Sequence, residues 1–169
     1  MKAIISVYDK TKLVELAKAL HERGITIIAT EGTARTIERE DIPAIPVAAF
    51  TGTPELLGGR VKTLHPRIHA EIATGEIGFV VVNLIPPDQN STKPLDRMDI
   101  GGVALLRNGI KHFEHVTVIV NPASYDEVGA ELRKDGTIAR TTRLRLARAA
   151  MSYLLTYDVK IAQMLELLE

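Results

Sequence analysis

Residues 3–33 read AIISVYDKTKLVELAKALHERGITIIATEGT. Ala3–Val7 is a short apolar run, the pattern of a strand buried in a parallel sheet. It breaks at Tyr8-Asp9-Lys10-Thr11, after which Leu13, Leu16, Ala17 and Leu20 fall on one helical face and Gly24 closes the helix. Ile25–Ala29 is a second strand, and Thr30-Glu31-Gly32-Thr33 is a second turn before a helix expected near Ala34–Glu40. Two successive strand–turn–helix units with short connections make a right-handed βαβ unit.

The rest of the chain extends this plan. Ala44–Val47 is a brief third strand, which Pro46 places at an edge. Thr53–Leu57 is a single helical turn at most, with Thr53 as cap and Pro54 at the first position. Pro66 starts a helix, and Gly78–Val82 is read as the central strand, ending at Asn83. Pro86–Arg97 is polar, holds three of the eight prolines, and reads as a mobile loop. Asp99-Ile100-Gly101-Gly102 opens a helix to about Lys111, and His115–Val120 is the last strand. Pro122 starts a helix that Gly136 stops, and Thr141 or Thr142 caps a final long one reaching Leu168. The expectation is α/β: a three-layer, mainly parallel five-stranded sheet with additional C-terminal helices, in one domain spanning residues 1–169.

In such a sheet ligands collect at the carboxyl ends of the strands, where helix N-termini present free N–H groups to an anion. Ser6, Lys10 and Thr11 stand at the first such turn, and Thr30, Gly32 and Thr33 at the second. Capping of the two helices by Asp9 or Thr11 and by Thr30 or Thr33 is the competing reading of each turn alone. The stretch Gly58-Gly59-Arg60-Val61-Lys62-Thr63-Leu64-His65-Pro66-Arg67-Ile68-His69 adds a glycine pair, an arginine fork and a lysine point charge. With both turns alongside, that combination points to a phosphate ester. His65 and His69 stand four apart with no acidic residue between them in the zincin arrangement, so no metal is expected.

Composition narrows the classes. Twenty-one basic and 21 acidic residues balance, which gives no net-charge case for nucleic acid or membrane. There are no cysteines, so disulfides, thiolate metal sites and cysteine nucleophiles are excluded. The N-terminal apolar run is too short for a signal peptide, and a cytoplasmic location is expected.

GRVKTLHP at residues 59–66 resembles the signature of the IMP cyclohydrolase domain of the bifunctional purine-biosynthesis enzyme. Ser6–Thr11, Val81-Val82-Asn83-Leu84, Met98–Gly102 and Leu146–Ala150 fall in that family's order. The resemblance implies the methylglyoxal-synthase-like variant of the fold. It also implies closure of formyl-AICAR, a purine-precursor ribonucleotide, to IMP with no cofactor, and a homodimer is expected. By resemblance, Ser6, Lys10, Thr11, Thr30, Gly32, Thr33, Arg60 and Thr63 hold the phosphate and ribose. Lys62 sits at the reacting end with Asn83 beside it, Asp99 and Lys111 handle protons, and Gly101-Gly102 approach the base. A directly touching Asp99–Lys111 pair on one straight helix is not expected, since ten residues of helix span about 15 Å.

Three departures accompany the resemblance. Glu31-Gly32 stands where the family has two glycines, and its carboxylate is expected to point away from a phosphate. Ile85 replaces a strand-end tyrosine usually assigned to catalysis, with Tyr8 as a candidate substitute. The stretch between His69 and Phe79 is short, and the formyltransferase half is absent, as in a stand-alone or excised domain with a separate formyltransferase. Two other readings remain open at this point: a methylglyoxal-synthase-type phosphate lyase and a non-catalytic nucleotide-sensing module.

Overall fold

The computed structural model describes residues 1–87 and 93–166. Among these residues five strands form one parallel sheet: β1 (Lys2–Val7), β2 (Thr26–Ala29), β3 (Ile45–Pro46), β4 (Ile77–Asn83) and β5 (Thr117–Ile119). Their order is β3-β2-β1-β4-β5. The middle position therefore belongs to β1. The run at Gly78–Val82, read as the central strand, is β1's neighbour; β4 is buried along its whole length and β1 from Ala3 to Ile5 and at Val7, because both strands are covered on two faces.

Among the described residues seven α-helices complete the layers: α1 (Leu13–Glu22), α2 (Glu31–Glu38), α3 (Val47–Thr51), α4 (Pro66–Thr74), α5 (Gly101–Lys111), α6 (Tyr125–Asp135) and α7 (Arg140–Glu166). The two-residue period of β1 sorts them. Ala3, Ile5 and Val7 join a cluster with Leu13, Leu16 and Leu20 of α1, Ile37 of α2 and Leu132 of α6. Ile4 faces the opposite cluster with Ile68 and Ile72 of α4, Leu105 of α5 and Leu154 and Tyr157 of α7. Each fully buried Leu or Ile contributes roughly 1.5–3 kcal/mol of apolar burial, so both covers are needed. The result is the expected three-layer α/β architecture with helices added at the C-terminus.

Several local expectations change. Thr30 is the N-cap of α2, so Glu31-Gly32-Thr33 form its first turn instead of a loop before it. Val47 begins α3 and does not end β3, and Thr53–Leu57 forms no helix. Pro122 opens a 3₁₀ turn that leads into α6, while Gly136 (φ 73°) stops α6 as expected. Thr141 and Thr142 lie inside the first turn of α7, and Leu168 falls outside the described residues. The loop read over residues 86–97 is only partly described, and its end, Pro94–Arg97, is a 3₁₀ turn. Among the described residues no helix is long and apolar enough to cross a membrane.

Candidate active site

A cavity of about 680 Å³ opens at the carboxyl edge of the sheet, inside the range of roughly 300–1,000 Å³ that small-molecule sites occupy. It gathers Ser6 and Lys10 after β1, Thr30, Gly32 and Thr33 at the start of α2, and Arg60, Lys62 and Thr63 from the signature loop. Asn83 at the end of β4 and Asp99, Gly101 and Gly102 at the start of α5 complete it. The helix N-termini on the cavity are those of α2 and α5. α1 starts beyond it at Leu13, after Lys12 in the left-handed region (φ 55°). Thr30 caps α2 without a side-chain hydrogen bond to its N–H groups, so those of Glu31 and Gly32 stay available to an anion, while that of Thr33 donates to the Thr30 carbonyl.

The signature loop turns sharply. Leu57, Gly58 and Gly59 are consecutive left-handed residues (φ 53°, 66° and 84°), and Leu56 pairs with Val61 across the turn. For a leucine that conformation is strained. The turn aims Arg60 at Asp96, whose carboxylate lies 2.7 Å from the guanidinium, and folds Lys62 so that Nζ donates to the Gly59 carbonyl at 3.0 Å. Glu31, the carboxylate that departs from the family, accepts from Arg35 one turn along α2.

Other expected site residues turn out to have local duties. The Asn83 Oδ1 accepts from the backbone N–H groups of Tyr8 (2.6 Å) and Asp9 (2.7 Å), and its Nδ2 donates to the Asp9 carbonyl. Asn83 thus pins the β1–α1 loop. The Thr33 hydroxyl is held by Thr30 and the Val7 backbone. Thr11 is not brought to the cavity: its N–H and hydroxyl both donate to Asp9, which holds that carboxyl below its usual range. Lys111 is also not brought there. α5 runs unbroken through Gly109, and Lys111 ends it, exposed. Gly109 serves packing, because a Cβ there would meet Val118 at 2.8 Å.

Asp99 is held by backbone N–H groups from two segments. Its Oδ1 accepts from the Gly102 N–H at 2.7 Å and its Oδ2 from the Ile85 N–H at 3.4 Å. A Cβ on Gly102 would lie 2.9 Å from both carboxylate oxygens, and one on Gly101 would collide with the Thr63 hydroxyl. The glycine pair is what lets Asp99 and Thr63 come so close to α5. His69 braces the loop from behind. Its ring meets the Asn108 side chain at 3.3 Å and hydrogen-bonds the Thr63 backbone, and burial lowers its pKa. His65 Nδ1 accepts from the Arg67 N–H and caps α4.

The profile of the MGS-like domain family matches residues 12–112. The chain belongs to that family. A second profile, that of the AICARFT/IMPCHase bienzyme, matches residues 109–169 and so adds α6 and α7 to the MGS-like domain. The chain is 44% identical over 185 residues to the bifunctional purine biosynthesis protein PurH of Chloroflexus aurantiacus, covering 96% of this chain and 36% of that protein. It is 39% identical to PurH of Sorangium cellulosum, covering 93% of this chain and 34% of that one. The chain thus spans about a third of the length of the curated relatives it matches. The crystal structure of ForH superposes with a TM-score of 0.85 at 32% identity over 98% of both chains.

Within the MGS-like domain, Ile85 and Tyr8 line the same cavity, together with Glu55 and Leu57, which the sequence did not single out. Two further phenols also escaped it. Tyr157 Oη accepts from the Asp99 N–H at 2.8 Å, and Tyr153 Oη accepts from the Leu84 N–H at 2.9 Å. Their spacing on one helix face was the available signal, since a buried tyrosine hydroxyl needs a polar partner.

Proposed function

We propose that this chain is an IMP cyclohydrolase that closes formyl-AICAR to IMP, as a cytoplasmic homodimer. The observation that carries the reading is the cavity itself. One pocket gathers the Arg60–Thr63 loop, the α2 N-terminus and a carboxylate fixed by backbone N–H groups. The similarity to PurH proteins and to the AICARFT/IMPCHase profile supports it.

In this reading the nucleotide phosphate lies at the α2 N-terminus, with Ser6, Lys10, Thr30, Gly32, Thr33, Arg60 and Thr63 around it and the ribose. The base lies toward Gly101 and Gly102. The carboxamide nitrogen then attacks the formyl carbon within one molecule, so positioning supplies much of the rate. The Lys62 ammonium stabilises the oxyanion that forms on the formyl oxygen. Asp99 passes the carboxamide proton to the oxyanion, making a hydroxyl, and then takes the formamido N–H proton to that hydroxyl, which leaves as water as the C–O bond breaks and the C=N bond forms. Asn83 acts by holding the Tyr8-Asp9 backbone. Thr11 and Lys111 have no proposed contact within this protomer.

The substrate is the product of a formyl transfer, so a formyltransferase, attached or separate, is the proposed source. A row of exposed apolar residues on α7, Met151, Leu155 and Val159, supports a second copy as partner, which sedimentation would detect. The deciding assay follows the absorbance change of ring closure with formyl-AICAR, with dihydroxyacetone phosphate in parallel. Turnover of the first alone is expected. Turnover of the second would favour a phosphate lyase, and turnover of neither a nucleotide-sensing module.

A further inference from the structure

We propose that Tyr157 and Tyr153, both on α7, are positioning residues that set the Asp99 carboxylate. α7 is thereby part of the catalytic apparatus and more than a stabilising cover. The inference rests on the reading that Asp99 handles protons in the cavity.

The two phenols close a chain of hydrogen bonds around one carboxylate. Tyr153 Oη takes the N–H of Leu84 at 2.9 Å, and the next N–H along, that of Ile85, reaches Asp99 Oδ2. Tyr157 Oη takes the N–H of Asp99 itself at 2.8 Å, while Asp99 Oδ1 takes the N–H of Gly102. The end of β4, Asp99 and the start of α5 are therefore tied together, and two of the four links come from α7. Residues 153 and 157 are four apart, so one helix face delivers both hydroxyls to adjacent segments.

The choice of tyrosine is informative. Tyr157 is 5% exposed and belongs to the apolar cluster with Leu84 and Leu105, against which Tyr153 also packs. Phenylalanine would fill that space equally well; only the oxygen makes the links. Both hydroxyls also feel the carboxylate. Burial first, and the Asp99 charge after it, push the two phenols above their ordinary pKa, which keeps them protonated. α7 lies in the segment matched by the AICARFT/IMPCHase profile and outside the residues matched by the MGS-like one. The links are thus what this C-terminal segment brings to an MGS-like cavity.

The test uses the full chain with Tyr157→Phe and Tyr153→Phe. Ring-closure kcat is expected to fall by about 10- to 100-fold in Tyr157→Phe, the range that misplacement by up to 1 Å produces, and by less in Tyr153→Phe. KM and IMP affinity should stay within about threefold, since only the reacting group has moved. A lower melting temperature with wild-type kcat would reduce the phenols to packing and overturn the proposal. Amide hydrogen exchange gives a second readout that needs no substrate. Exchange at Asp99 and Gly102 should quicken in Tyr157→Phe while the sheet amides stay protected. Unchanged exchange at Gly102 would overturn the proposal even if the wild-type chain closed no ring, an outcome that would separately refute the cyclohydrolase reading.

Discussion

Arg60 shares its guanidinium with Asp96, which competes with a phosphate for it, and Asp96→Asn isolates that competition. The guanidinium and carboxylate are 2.7 Å apart, but their side chains are 61% and 42% exposed, so water screens the pair. Exposed pairs of this kind contribute about 0.2–1 kcal/mol, which bounds what the carboxylate withholds from a competing anion. Converted at about 1.4 kcal/mol per tenfold, the substitution should tighten IMP binding by roughly 1.4- to 5-fold. Inosine, which lacks the phosphate, should bind as it does to the wild type. Calorimetry with both ligands measures this at low ionic strength and again near 1 M salt, where the Debye length is about 3 Å and the gain should shrink. IMP affinity that is unchanged or weaker in Asp96→Asn, or an equal gain for inosine, would refute the assignment of Arg60 to the phosphate.

Gly102→Ala puts a methyl 2.9 Å from both Asp99 oxygens, so turnover should drop at least tenfold while circular dichroism stays that of the folded protein; full activity would show that Asp99 placement is not critical. Burial lowers the His69 pKa, so folding favours its neutral form: stability should hold above the unfolded value of 6.5 and fall as pH drops from there through the folded value. Urea midpoints between pH 8 and pH 5 would show this, and a His69→Gln profile no flatter than wild type would exclude the residue as the cause. Ile85→Tyr restores a phenol to the cavity wall and should raise turnover toward the ~10²-fold lower end of general acid–base effects; an unchanged rate would mean that other groups already carry the proton.

What the sequence made legible was whatever depended on neighbours along the chain. The apolar runs of β1 and β4, the face of α1 and the break at Gly136 follow from local periodicity and backbone conformation. Most of the cavity was legible as well, because the strand ends of a parallel sheet bring Ser6, Thr30 and Asn83 to one edge. Sequence was least decisive where a side chain had two possible partners. Thr11 could have faced a ligand, but Asp9 sits two residues away and takes both its donors, as aspartate does at turns. Asn83 could have faced the substrate, yet its amide matches the N–H pair of the neighbouring loop. Sequence cannot decide such competitions, since both outcomes use the same residue types at the same spacing.

Tyr153 and Tyr157 mark a different boundary. Their hydrogen bonds reach across 69 and 58 residues, and nothing local distinguishes them from packing on α7. They become visible only when the helix is laid across the end of β4. Ile85 then takes on a different meaning. In sequence it is a missing phenol, whereas in space its N–H helps fix Asp99 and the next N–H back rests on Tyr153. The position has a backbone role without a hydroxyl, and α7 supplies two phenols behind it. A site whose central carboxylate is set by backbone N–H groups can tolerate change at the side chain of Ile85, provided the elements that fix that backbone stay in place. α7, although it lines none of the cavity, is therefore the element on which that tolerance depends.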